Sequence, residues 1–331
     1  MTEKEGFPMQ QLPVQEALPK QFGTLLLTFE NIAQSYYLSG RPWQALQLLQ
    51  SGLQTLAMPE VTQHDKARFL LHYGKRLTAR TQFENASIEE AITVLEKGKQ
   101  LATEIEDPQL IADAFDAIGF AHYVAASNRR EGDPHMFYVS FQEALERRRT
   151  LHDERGISES LFHLGLTTDV LDQKEDAHAY YTQALQIAQA GGYAQEASEA
   201  LRHLGFQEQV QGNLTQALQY LSEALQLSEQ AGRVSLPFAH VAVADVHLEM
   251  GNVALATSHC QQALELARTI DIKKALIFAL GSYGSICQAK HEKQQARNYF
   301  EEAYAIAQAI HLKHAMQRLS SSLQQLSITQ E

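Results

Sequence analysis

The stretch LRHLGFQEQVQGNLTQALQYLSEA, Leu201 to Ala224, decides the fold. It sets a small residue at Gly205, a second at Gly212 beside Asn213, and a third at Ala217, seven and then five positions on. Leu201 and Leu204 lie on one face of a helix with Gly205 beside them, and that small residue lets a second helix come close. Gly212-Asn213 ends the first helix in a left-handed cap and starts the second. On the second helix, Ala217 and Ala224 are seven apart, with the bulky Leu221 between them.

The same pattern returns along the chain. Its opening residue is Ala33, Gly74, Gly119, Gly165, Gly205, Ala244 and Gly284, at spacings of 41, 45, 46, 40, 39 and 40 residues. The neighbouring units read Leu161, Leu164, Gly165, Asp172, Ala177, Tyr181, Ala184, and Val243, Ala244, Gly251-Asn252, Ala256, Cys260, Ala263. A period near forty filled with helix formers predicts a solenoid of antiparallel helix pairs, because one pair cannot cover its own apolar face. The expected fold class is all-α: a right-handed α-solenoid of seven helix pairs closed by a C-terminal capping helix.

Composition bounds the rest. At 331 residues with 44% apolar and 20% charged residues, the chain reads as ordinary folded protein rather than a disordered one. A net charge of −12 and no basic face argue against nucleic acid. Two cysteines, Cys260 and Cys287, make no disulfide framework and fit a reducing compartment. No apolar run reaches the roughly 18 residues of a membrane span. The expected location is the cytoplasm, with no membrane partner. Residues 1–20 carry Pro8, Pro13 and Pro19 and lack a signal-peptide core, so an extended or disordered arm is expected. The solenoid is expected over 21–311, and a capping helix and tail over 312–331.

These units resemble the tetratricopeptide repeat family, whose pattern sets Leu-Gly, a turn, Ala, a bulky residue and Ala at these offsets. The resemblance covers roughly residues 22 to 310. The family's usual period is shorter, so the chain is similar to its long-unit class, of about forty residues. That class includes kinesin light chains, peptide-sensing bacterial regulators and the sensor arms of large bacterial transcription activators. Two units depart from the pattern. Extra residues between Gly74 and Ala91, and between Gly119 and Ala144, predict longer turns inside units 2 and 3. Ser87 with Glu90 reads as a capping box, and Asp107-Pro108 and Asp133-Pro134 as helix starts.

The resemblance implies that the first helix of each unit lines a concave groove. Carried over by offset, the groove residues are His72, Asp113, Asp116, Phe120, Tyr123, Glu159, Phe162, His163, Asp169, Glu199, Arg202, His203, Phe206, Phe238 and Asp245. His72, His163 and His203 share one offset, the acids fill the middle, and aromatics punctuate the wall. Such a channel is expected to take a protein or peptide with basic and apolar residues. The plainer alternative is that the aromatics pack between units and the acids are solvated. The carboxylate clamp of chaperone-binding relatives has no counterpart, since Glu30, Gln34, His72 and Asp113 stand where it would begin.

No metal and no cofactor are expected. His163 and His203 lie on neighbouring helices about 8–10 Å apart, so both would have to lean toward one ion. Cys260 and Cys287 read as structural. Gly281-Ser282-Tyr283-Gly284 lies inside a helix and is no phosphate loop. Asn85 and Asn213, each in a glycosylation-type triplet, read as helix caps, and Arg147-Arg148-Arg149 as an exposed basic helix end. The expected function is a binding scaffold or adaptor. The alternatives are a ligand- or peptide-sensing regulator of a bacterial signalling pathway and, more remotely, a groove enzyme using Glu159, His163, Glu199 and His203. A homo-dimer stays open, as does occupation of the groove by the chain's own Phe7, Met9, Leu12 and Val14.

Overall fold

A computed structural model describes residues 14–129 and 133–328. These residues form fifteen α-helices and no strand. Seven antiparallel pairs follow one another: α1 (Val14–Leu38) with α2 (Pro42–Gly52), α3 (Gln63–Glu84) with α4 (Glu89–Glu104), α5 (Pro108–Arg129) with α6 (Pro134–Leu151), and α7 (Glu154–Val170) with α8 (Lys174–Gly191). Then come α9 (Ala194–Val210) with α10 (Leu214–Ala231), α11 (Leu236–Glu249) with α12 (Val253–Ile270), α13 (Lys273–Ala289) with α14 (Lys293–Ala309), and a last helix α15 (Lys313–Ile328). The chain is thus an α-solenoid of seven helix pairs, and α15 packs on α14 at its end.

The repeat residues do the work their spacing implies. A Cβ on Gly165 would lie 2.5 Å from Tyr181 Cε1, and one on Gly284 would lie 2.5 Å from Phe300 Cε1. The ring from the second helix therefore occupies the space where a side chain on the first would stand. Where the opening residue is Ala244, its partner in the same buried cluster is the smaller Cys260. Seven residues on, Gly40, Asp172, Gly212, Gly251 and His291 all take left-handed backbone, with φ between 59° and 82°. Gly212 N donates to Gln209 O and Asn213 N to Glu208 O, closing the helix end.

Several expectations are corrected. Residues 1–13 lie outside the described residues, and with them Phe7, Met9 and Leu12; but α1 already runs from Val14 through Pro19, so 14–20 are helical rather than extended. Pro19 is the sixth residue of α1, inside the helix, where its missing N–H removes one intrahelical hydrogen bond near the helix start. The Ser87–Glu90 capping box does not form. Ser87 Oγ accepts from Glu89 N, while Glu90 takes Tyr73 and Arg80 instead. Asn213 does not cap α10; its Nδ2 donates to Glu208 Oε2 at 2.8 Å. The extra residues of units 2 and 3 go mainly into helix, not loop. The helices α3 and α5 are 22 residues long where α7, α9 and α13 are 17; residues 130–132, after α5, are not among those described.

Those longer helices close the solenoid on itself. The tip of α3 puts Ala79 and Phe83 into one buried cluster with Val234, Ala267, Ile270, Ile272 and Ala275, more than 150 residues away in sequence. The turn after α1 joins the same seam: Arg233 N donates to Leu38 O at 2.8 Å, and Trp43 Nε1 to Asp271 O at 3.1 Å. Asn85 is the left-handed cap of α3, and its Nδ2 donates across the seam to Ile310 O at 2.9 Å. On the tip of α5, Asn128 receives Lys274 Nζ on Oδ1 at 2.9 Å. Turns within units 1 and 2 and the ends of α3 and α5 thus pack against the starts of later units.

Candidate functional site

The seam turns the expected open groove into a central cavity of about 410 Å³. All seven first helices contribute to its wall, among them Tyr37 of α1, Arg76 of α3, Phe120 of α5, Phe162 of α7, Glu199 of α9, Phe238 of α11 and Phe278 of α13. The volume is that of a ligand pocket rather than a packing defect.

Ten of the fifteen residues singled out from sequence come together here: Asp116, Phe120, Tyr123, Glu159, Phe162, His163, Glu199, Arg202, His203 and Phe238. Five do not. His72 and Asp113 border a separate recess with His64, Arg68 and Asp107. Asp169 turns to Lys174 at the end of its unit. Phe206 packs against the buried cluster that holds Leu221, Leu225 and Val243, and Asp245 lies against Ser282 and Arg318. Burial pushes the Asp245 carboxyl up to about 6, although the Ser282 hydroxyl and Arg318 pull it the other way.

Every carboxylate of the acidic wall already has an arginine within reach, although Asp113, Asp116 and Glu159 share one. Arg148, expected as part of an exposed basic patch, is 1% exposed and points from α6 into the back of α5 and α7. Its Nη2 reaches Asp113 Oδ1 at 3.0 Å and Glu159 Oε2 at 2.9 Å. Its Nη1 reaches Asp116 Oδ1 at 3.1 Å and donates to Ser160 Oγ and Gly156 O. His163 Nδ1 sits 3.0 Å from Asp116 Oδ2. Burial alone would raise the Asp116 carboxyl, but His163 and Arg148 outweigh it and hold the group well below the usual carboxylate range. Glu199 pairs with Arg202, and Glu196 with Arg155 at 2.7 Å.

Sequence reasoning missed Arg148, although a signal for it existed. On six of the second helices, the buried position eleven residues after the first of the stripe is Ala102, Ala188, Ser228, Ala267 and Ala307, and in unit 3 alone an arginine. An arginine where five sister positions are small marks a side chain that enters the interior. The histidines do not converge either. His163 stacks on Phe120 with ring centroids 4.9 Å apart. His203 lies among Phe162, Tyr181 and Phe206, and burial, then the nearby Arg202, lowers its pKa well below the ordinary value. His72 is lowered to about 3 by burial and by Lys75, Arg76 and Arg68. Ligand atoms of Asp116, Glu159 and His163 do lie within 4.8 Å of one another. A metal ion there would have to displace the Arg148 guanidinium that already bridges both carboxylates.

Three cations on the wall lack such partners. Lys75, Arg76 and Lys274 make no ion pair within 4 Å among the described residues. Arg76 donates from Nη2 to Gln34 Oε1 at 3.0 Å and lies 3.9 Å over the Tyr37 ring. Burial lowers the Arg76 guanidinium, with Tyr37 opposing. Lys274 has the neutral Asn128 amide, and burial lowers its ammonium to about 8.

A family model described as the MalT-like TPR region matches residues 148–330. No curated protein matches the chain. Solved structures match along nearly its whole length. The apo form of RapI is 14% identical over 97% of this chain and 88% of its own, with a TM-score of 0.58. A Rap protein complexed with competence and sporulation factor is 11% identical over 93% and 98%, at 0.57. The Rap conjugation gene regulator of plasmid pLS20, in complex with the Phr* peptide, is 16% identical over 94% and 97%, at 0.56. At these identities the likeness is one of fold. No helix among the described residues is long and apolar enough to cross a membrane.

Proposed function

The chain belongs to the MalT-like TPR family, and from that premise we propose that it is a peptide-binding regulator whose ligand sits inside the closed solenoid. The observation that carries this reading is the cavity itself: one hollow, walled by every unit and bordered by a seam between early and late units of the chain. An occupant there touches early and late units at once. Its binding energy is therefore spread over several units, and any preference for the closed ring changes the pitch of the whole superhelix. Solved relatives of the same fold hold a competence and sporulation factor in one case and the Phr* peptide in another. A protein partner on the outer surface would read the change in pitch.

The wall supports binding better than turnover. Glu159 is tied to Arg148, and His203 is buried among rings with its proton affinity lowered, so neither Glu–His pair is free to move a proton. The test is affinity selection from a pentapeptide library with the wild-type chain and with Gln82→Trp, which fills the cavity wall without touching the repeat core. Selective enrichment by the wild type that Gln82→Trp abolishes is the expected result. Equal enrichment by both would place binding elsewhere and end this reading.

A further inference from the structure

We infer that the cavity ligand is an anionic peptide, held through a carboxylate by Lys274 and Arg76 across the seam. This rests on the peptide-binding reading above and reverses the charge expected from the sequence.

The argument is one of compensation. A buried carboxylate or ammonium is tolerated when an opposite charge and hydrogen bonds meet it. On one side of the cavity that condition is met within the protein: Asp116 and Glu159 share Arg148, Glu196 has Arg155 and Glu199 has Arg202. A basic ligand would compete with these arginines for the same oxygens. On the other side the condition is not met. Lys274 Nζ has three donors and only the neutral Asn128 oxygen at 2.9 Å. Arg76 has five donors, with neutral Gln34 and Tyr37 as its contacts.

The place of these cations adds to the case. Lys274 lies in the first turn of α13, where the helix dipole is positive; that turn holds no acidic residue, and Asp271 just before it is paired with Lys273. The helices α3 and α13 touch across the seam, so cations from the two ends of the chain face one hollow. A carboxylate bound by both would tie the two ends of the chain together across the seam. Phe120, Phe162, Phe238 and Phe278 supply apolar wall for the flanking side chains. The chain's net charge of −12 would repel an acidic peptide from most of its surface, so attraction must be local to this wall.

The test uses four pentapeptide pools and the full chain. Three are C-terminally amidated, with Glu, Gln or Lys fixed at the centre and the other positions random. The fourth has central Gln and a free C-terminal carboxylate. Enrichment of the Glu pool or the free-carboxylate pool by about tenfold over the Lys pool is expected, a ratio worth one decade of affinity. The Glu pool points to a side-chain carboxylate and the free-carboxylate pool to a peptide terminus. Lys274→Met should abolish that preference and Lys274→Arg retain it, with both variants checked for a single cooperative melting transition. Should Arg76→Met fail to fold, the Lys274 pair decides alone. Preference for the Lys pool, or an acidic preference unmoved by Lys274→Met, overturns the anionic assignment and leaves peptide binding standing. No enrichment of any pool overturns both.

Discussion

The two sides of the cavity are built from the same repeat and solve the problem of buried charge in opposite ways. On the α5–α7–α9 side, the carboxylates of the first helices are met from behind, by Arg148 rising from a second helix and by Arg202 and Arg155 alongside. On the α1–α3–α13 side, Arg76 and Lys274 face only neutral oxygens and a ring. A closed network rigidifies; an open one is a site waiting for its counter-charge. The contrast teaches that an acidic wall in sequence is not an acidic wall in space, since the deciding residue sits on the other helix of the pair.

Breaking the closed side should have the largest effect. Arg148→Met strands Asp113, Asp116 and Glu159 without their cation and is expected to cost about 3–5 kcal/mol in chemical denaturation. The same side gives an acid signature. Asp116 is held below its ordinary 3.8, so in that window the unfolded chain binds more protons than the folded one. Its contribution is intact above about pH 4 and lost as pH falls further; a wild-type stability curve flat from pH 5 to 2.5 would contradict the network.

The next effect separates tight packing from open space. Gly165→Ala places a Cβ 2.5 Å from the Tyr181 ring and should cost about 1–3 kcal/mol. Gly281→Ala on α13 meets nothing nearer than Arg318 Nη2 at 3.4 Å and should gain up to about 1 kcal/mol from helix propensity. Thermal melts of the pair check both signs.

The open side has its own pH dependence, of the same sign but in the alkaline range. Lys274 titrates at about 8 when folded and at 10.5 when not, because burial disfavours its charge. Between those values the unfolded chain holds more protons, so stability should rise with pH from 8 toward 10.5. Lys274→Met should lose that rise, and a slope unchanged in the variant would sink the claim. The smallest effect belongs to Glu199→Gln. Its partner Arg202 lies three residues on and both are partly solvated, so a change within about 0.5 kcal/mol is expected from denaturation curves.

Much of this protein was legible in its residues one unit at a time. The seven opening positions, the left-handed turn seven residues on and the bulky residue of the second helix are local matters, set by sterics within some forty residues. That first helices face inward was implied by the family resemblance, and it brought Phe120, Phe162, His163 and Phe238 to one wall. The direction of Arg148 was half-legible, as an arginine in a stripe where other units keep alanine or serine. Asp169 and Asp245 could not be separated from the true wall by offset alone, because each is turned by a neighbour, Lys174 or Ser282, that belongs to no repeat position.

What only tertiary structure decided is the ring. The longer α3 and α5 showed in sequence merely as irregular spacings, and irregular spacing predicts a loop as readily as an extra helical turn. Their tips meet Val234, Ile270 and Ile310 because small rotations between successive pairs add up over five units, a sum that no single unit encodes. Closure in turn decides which charges face the hollow and which face water. The amino acids therefore settled the unit, and the accumulated superhelical turn settled the site.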